Sequence, residues 1–258
     1  TLFVAAIAAR VSTTDPRDSP YFKGTSAMAY RHMLMVADGQ SIMAHDTRAG
    51  HPDGYVPALY RASGAETITG LAYRAVRAVS DIDGRPFTRR MVILIASLCV
   101  FTLYSLSSRL WNSRGAGLLA AFLVAFLPAL VSATNGRTFS HAIFAGFFAS
   151  LYAVIALRAL PASPRILPVL AALAAIPLLW VWEPARYGIA AWVIAVALAP
   201  AVDRRTRIVF VLAHALVVVI AAVVIVMVVV VHRNRGSRAV VRRRAVRPGH
   251  LGRRDVRR

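Results

Sequence analysis

The chain has 258 residues, of which 58% are hydrophobic and 16% charged, with a formal net charge of +20. A water-soluble domain of this size needs far less apolar sequence, and a mean hydropathy of +0.59 points to lipid as the solvent. The charge does not argue for nucleic acid: 11 of the 31 basic residues fall in the last stretch, 232–258, which has no aromatic for base stacking and no recognisable binding fold.

In chain order, the first apolar run is 1–11. It reads as the outer half of a first membrane helix whose start is missing. A signal-peptide core of roughly 7–15 apolar residues is the alternative, but no charged leader or cleavage site accompanies it. Residues 12–87 form a long polar first loop. It holds eight of the eleven acids (Asp15, Asp18, Asp38, Asp46, Asp53, Glu66, Asp81 and Asp83) and eight basic residues, so its net charge is near zero. Structureless loops beyond about 12–15 residues are uncommon, and this one is expected to be folded. Apolar residues recur at helical spacing in 21–37 and 65–79, which predicts two amphipathic helices at the membrane surface or capping the bundle. Between them, HDTRAGHPDGY is rich in turn formers and reads as an exposed loop.

From 88 to 231 the chain is a series of apolar runs: 91–107, 115–133, 138–157, 166–182, 188–202 and 208–231. Crossing a bilayer takes roughly 20 such residues, and a helix is the form that satisfies its own backbone in lipid. Pro128, Pro168 and Pro177 interrupt the runs, as membrane helices tolerate. The expected fold is an all-α membrane protein, a polytopic bundle of six or seven helices with a helical extracytoplasmic first loop. With that loop outside, connections 108–114, 158–165 and 203–207 face inward and carry seven arginines against Asp203. The outer connections 134–137 and 183–187 carry Arg137, Arg186 and Glu183. This is the positive-inside bias, although Arg89 and Arg90 vote against it. Glu183 and Arg186 are expected to pair at the interface, and Trp180, Trp182, Tyr187 and Trp192 to form an aromatic belt. Cys99, the single cysteine, lies inside a span and forms no intramolecular disulfide.

The basic tail 232–258 reads as a disordered arm attracted to anionic headgroups. Seven alternating spans would leave it outside, against the charge rule. The run before it is unusually valine-rich, and Lys23 is the only lysine. Residues from about Val211 onward are therefore expected to come from a shifted or truncated reading frame.

Three stretches resemble the oligosaccharyltransferase catalytic-subunit family, polytopic enzymes of the GT-C fold that use lipid-linked sugar donors. TTDPRDSPYFKG is similar to the family's acidic segment after the first span. DTRAGHPDGY is similar to the Asp…Pro-x-Gly stretch closing the first loop, and SRGAGLLAAFLVAFLPALVSATNGRTFSH to the third span and its following turn. Order and spacing match across roughly residues 1–160. The resemblance implies transfer of an oligosaccharide from a polyprenyl-diphosphate donor to a protein acceptor in a bacterial or archaeal plasma membrane. It gives Asp18, with Asp15 second, the catalytic place: binding Mn2+ or Mg2+ beside the donor diphosphate and orienting the acceptor amide. Oxygen ligands suit such a hard cation. Asp46, Arg137 and His141 become substrate-binding candidates, Arg137 by gripping phosphate bidentately. The plainer readings are a helix-capping Asp near Tyr21, an interfacial Arg137, and a polar His141 at a helix start.

The family's acid pair after the third span has no counterpart in NGRTFSHAIFA, and later spans, the second loop and the Trp-Trp-Asp domain are absent from the chain. The resemblance thus implies an N-terminal half that does not catalyse transfer alone. Two alternatives stand beside it. One is a GT-C enzyme moving a monosaccharide from a polyprenyl phosphate, for which a missing acid matters less. The other is a non-catalytic polytopic membrane protein.

Overall fold

The computed structural model describes residues 1–13, 22, 24–42, 63–159, 166–181, 184–199, 202–217 and 219. The chain divides into compact units 1–214 and 215–258, and the described residues of the second, 215–217 and 219, are helical. Among the described residues every regular element is a helix and none is a strand.

The helices are α1 (Leu2–Ser12), α2 (Thr25–Ala37), α3 (Gly64–Arg77), α4 (Gly84–Leu110), α5 (Arg114–Phe126), α6 (Pro128–Ala133), α7 (His141–Ala159), α8 (Ile166–Val181) and α9 (Ala185–Leu198). A further helical run, α10, covers 204–217. Two of them are long and apolar enough to cross a membrane: α4, with 27 residues, and α7, with 19. The other apolar helices, α1, α5, α8 and α9, are individually shorter.

The expected third span, 115–133, is broken. Leu127 takes an extended ψ of 118° and Pro128 opens α6. Proline lacks the N–H that would bond the carbonyl four residues back, here that of Val124. Arg10 of α1 answers this need: its Nη2 donates to Val124 O at 2.9 Å. Pro177, by contrast, lies within α8 without ending it. α4 begins seven residues before the expected 91. Its first turns carry Arg85, Arg89 and Arg90, which hydropathy does not count but helical hydrogen bonding permits.

α2 and α3 form the two-helix cap expected from their periodicity. Gly70 lets the two helices approach closely, because a Cβ there would lie 2.6 Å from Met33 O. Arg77 joins the two C-terminal ends, donating to Asp38 Oδ1 at 2.9 Å and stacking over Tyr73. An exposed pair of this kind contributes about 0–1 kcal/mol, so the cap rests mainly on burial. Phe22, Ala29, Met33, Ala65 and Tyr73 pack with Val92, Ile95, Phe139, Phe144 and Val181 in one cluster. The cap thereby covers the end of the bundle where α4 and α7 start and α8 finishes. A Cβ on Gly64 would meet the Trp180 carbonyl at 2.6 Å, and Tyr73 Oη donates to Ile82 O at 3.1 Å just before α4. Burial raises the Tyr30 hydroxyl above the usual tyrosine range, with Asp83 adding to the effect and Arg85 opposing it.

Below the cap, α4 packs against α1, α5 and α7, and α7 against α8. The seams are built from small side chains. Ala6, Ala121 and Ala125 are buried at 0–1% exposure, as are Ala156, Ala171, Ala172 and Ala175. Large apolar side chains point outward: Leu118, Leu119 and Phe122 on α5, and Leu170, Leu173 and Ile176 on α8. One pair of buried hydroxyls bonds across helices: Thr102 Oγ1 and Ser150 Oγ lie 2.7 Å apart between α4 and α7.

Candidate functional site

Polar side chains converge where the cap meets the bundle, around the turn 134–140 that follows α6. Gly136 gives this turn its left-handed corner, with φ +82°, and brings the backbone against Arg89. Asn135 Oδ1 accepts from the Arg137 backbone N–H at 3.2 Å. The Arg137 side chain is exposed, and its Nη2 donates to Thr13 O at 3.2 Å, at the end of α1. One turn earlier in α1, Arg10 is 1% exposed. Besides Val124 O, it donates through Nε to Thr134 Oγ1 at 2.8 Å and through Nη1 to Ala6 O at 3.0 Å. Two arginines thus fasten the end of α1 to the end of α6.

On the other side of the turn, Ser26 Oγ of α2 accepts from Phe139 N at 3.2 Å. His141 opens α7, and its Nε2 lies 2.9 Å from Glu66 Oε1 in the first turn of α3. The carboxylate is 1% exposed and the imidazole 13%. When the carboxylate is ionised it only accepts, and Nε2 is then the donor of this pair. A glutamate at a helix N-terminus also suits the helix dipole. Periodicity alone marks Glu66 as one more polar residue of an amphipathic helix, and nothing local in the sequence reveals its link to His141.

Of the residues expected to form the site, Arg137 and His141 lie in the same turn region, at its outer edge and its buried end respectively. Asp15, Asp18 and Asp46 lie outside the described residues. So does Glu183, the expected partner of Arg186; the guanidinium of Arg186 donates to Tyr187 Oη at 3.1 Å and stacks on that ring. Among the described residues no three His, Cys, Asp or Glu side chains come together as a metal site needs. His141, one of the substrate-binding candidates, turns Nε2 to Glu66.

A second polar pair sits deeper in the bundle. Tyr152 Oη of α7 is 3.2 Å from His214 Nε2 of α10, and His214 Nδ1 is 2.8 Å from Phe210 O. Both His214 nitrogens are therefore matched, and the pair ties α10 to α7 within the packed unit.

No known protein family matches this chain, and no curated protein is significantly similar to it.

Proposed function

We propose that this is a multi-pass membrane protein whose α2–α3 cap lies on the extracytoplasmic side. On this reading it is the membrane part of a GT-C-type glycosyltransferase that moves an oligosaccharide from a polyprenyl diphosphate to a protein acceptor. The membrane reading rests chiefly on the inverted packing of α5 and α8. A helix exposed to water turns charged and polar residues outward. α8 contains no charged residue over its 16 positions and exposes leucine and isoleucine along its length. Small residues at the seams and large ones outside are the pattern of helices packed in lipid. α5 and α6 together run from 114 to 133, about 30 Å at 1.5 Å per residue, long enough to cross despite the break. The ends of α1, α6 and α8 and the starts of α4 and α7 gather under the cap, which supports alternating passes.

The transferase reading rests on the resemblance, and the junction geometry supports it. Thr13, held by Arg137, is two residues from Asp15 and five from Asp18 in sequence. The segment carrying the two candidate acids thus follows in sequence directly on Thr13, whose carbonyl is held by an exposed guanidinium of the kind suited to phosphate. Here Arg137 would hold the donor phosphate while Asp18 orients the acceptor amide. A divalent ion, when bound there, would offset the diphosphate charge. The cap would exclude water from one side of the donor. The monosaccharide-transferring alternative draws on one observation: NGRTFSHAIFA offers no acid, and its histidine is committed to Glu66.

Two measurements test the reading. Single cysteines placed at Asn112 and Arg137, in a Cys99→Ala background, are expected to label from opposite sides of intact vesicles. Labelling from one side would overturn the alternating topology. Purified protein is expected to bind a polyprenyl-diphosphate oligosaccharide, with Arg137→Ala weakening binding at least tenfold. Absence of binding with Mn2+ or Mg2+ present would sink the transferase reading and leave the topology standing.

A further inference from the structure

At the end of the bundle away from the cap, a recess of about 440 Å3 is lined by Ser108, Arg109, Leu110, Asn112 and Leu157. It lies where the last turn of α4, the 111–113 connection and the last turn of α7 come together. Its wall is part polar and part apolar. Asn112 holds the left-handed backbone, with φ 46°, that lets the chain reverse between α4 and α5. Trp111 beside it is 75% exposed and Leu110 is 60% exposed.

The electrostatics of this end are one-sided. Arg109 lines the recess, Arg114 opens α5 just beyond the turn, and Arg158 follows Leu157 in α7. The sequence contains no acid between Asp83 and Glu183, so none of these three arginines has a counter-charge on its own or a neighbouring helix of this group. Among the described residues their guanidinium groups make no ion pair or hydrogen bond. One arginine in the wall of an amphiphilic recess, two more within two residues of its lining in sequence, and an exposed tryptophan beside it suit an anion that carries an apolar body.

We infer that this recess is a binding site for the phosphate headgroup of an anionic phospholipid. Arg109 is the principal contact, Arg114 and Arg158 supply the field, and Leu110 and Leu157 lie against the upper acyl chains. The inference rests on the multi-pass reading, which would place this end at the cytoplasmic headgroups, where arginines near the surface attract anionic lipid. It goes further by naming one recess rather than a diffuse bias. Guanidinium suits phosphate because its planar fork can donate two parallel hydrogen bonds.

The test reconstitutes the full chain in phosphatidylcholine vesicles containing one-fifth phosphatidylglycerol, then counts the lipids retained on extraction by native mass spectrometry. The basic tail is present in every sample, so its contribution cancels. Wild type is expected to retain phosphatidylglycerol above its bulk proportion. Arg109→Ala should lower that preference about fivefold, the factor expected for one interfacial arginine. Arg109→Lys, which keeps the charge, should retain part of it, and Arg186→Ala at the capped end should leave it unchanged. Should Arg109→Ala fail to fold, Arg114→Ala with Arg158→Ala carries the same expectation. Equal retention in wild type and these variants overturns the inference. Displacement of the lipid by millimolar inorganic phosphate also overturns it, reassigning the recess to a free anion. Protein that does not enter the vesicles refutes the membrane reading itself, a result distinct from loss of lipid selectivity.

Discussion

Arg10 illustrates how a charged residue within an apolar helix can be structural. A buried guanidinium is costly unless its donors are matched, and here all three donating nitrogens reach oxygen acceptors, one of them the carbonyl released by Pro128. Arg10→Leu is therefore expected to destabilise the protein by about 1–3 kcal/mol, the range for leaving a buried partner unsatisfied. Pro128→Ala supplies the missing N–H, so the same Arg10→Leu change should cost less in that background. A double-mutant cycle in detergent checks this, and additive effects would refute the pairing of Arg10 with the proline break. Asp203 is a simpler case. Bonds from the Thr206 side chain, and from the backbone N–H groups of Thr206 and Arg205, hold its carboxyl below the usual carboxylate range. A lowered folded pKa favours the folded state above the unfolded pKa, and this contribution disappears as pH falls through the folded value. The protection of amides in 204–217, taken relative to their intrinsic exchange rates, should fall on acidification through the carboxylate range, and Asp203→Ala should remove that dependence.

At the level of elements, the cap depends on close backbone approach. Gly70→Ala would place a methyl group 2.6 Å from Met33 O, whereas Gly146 on α7 faces open space. The first substitution is expected to cost about 1–3 kcal/mol, as overpacking does. Gly146→Ala should be neutral or raise stability by up to about 1 kcal/mol through helix propensity. Thermal unfolding of both variants in one detergent makes the comparison, and equal melting points would count against tight α2–α3 docking. Helical periodicity located both cap helices, and uninterrupted apolar runs located α4, α5, α7, α8 and α9, because one buried face or an apolar surface all round leaves a local pattern. Helix ends were less legible. α4 starts at Gly84 rather than 91, since the arginines of its first turns are polar yet helix-compatible. The break at Leu127 had a visible signal in Pro128, but its stabilisation by Arg10 joins residues 114 positions apart.

For the molecule as a whole, apolar content announced helices suited to lipid, while the candidate site was legible only in part. Arg137 and His141 stand at the cap–bundle junction, but the Glu66 contact that defines its buried side is set by tertiary packing and leaves no trace in either segment alone. Asp15, Asp18 and Asp46 entered through the resemblance, and their geometry lies outside the described residues. The Glu66–His141 pair also bears on how the protein is made. Glu66 precedes His141 by roughly 75 residues, so at about 5–20 residues per second a ribosome needs roughly 4–15 s to supply the histidine after the glutamate. On the proposed topology α3 is exported during that interval, while α4 to α6 are still being threaded into the bilayer. The Glu66 carboxylate is therefore expected to stay hydrated until the start of α7 arrives. The Glu66–His141 contact would thus form only after α3 to α6 are made, and α8, whose Trp180 carbonyl meets Gly64, would join the cap later still.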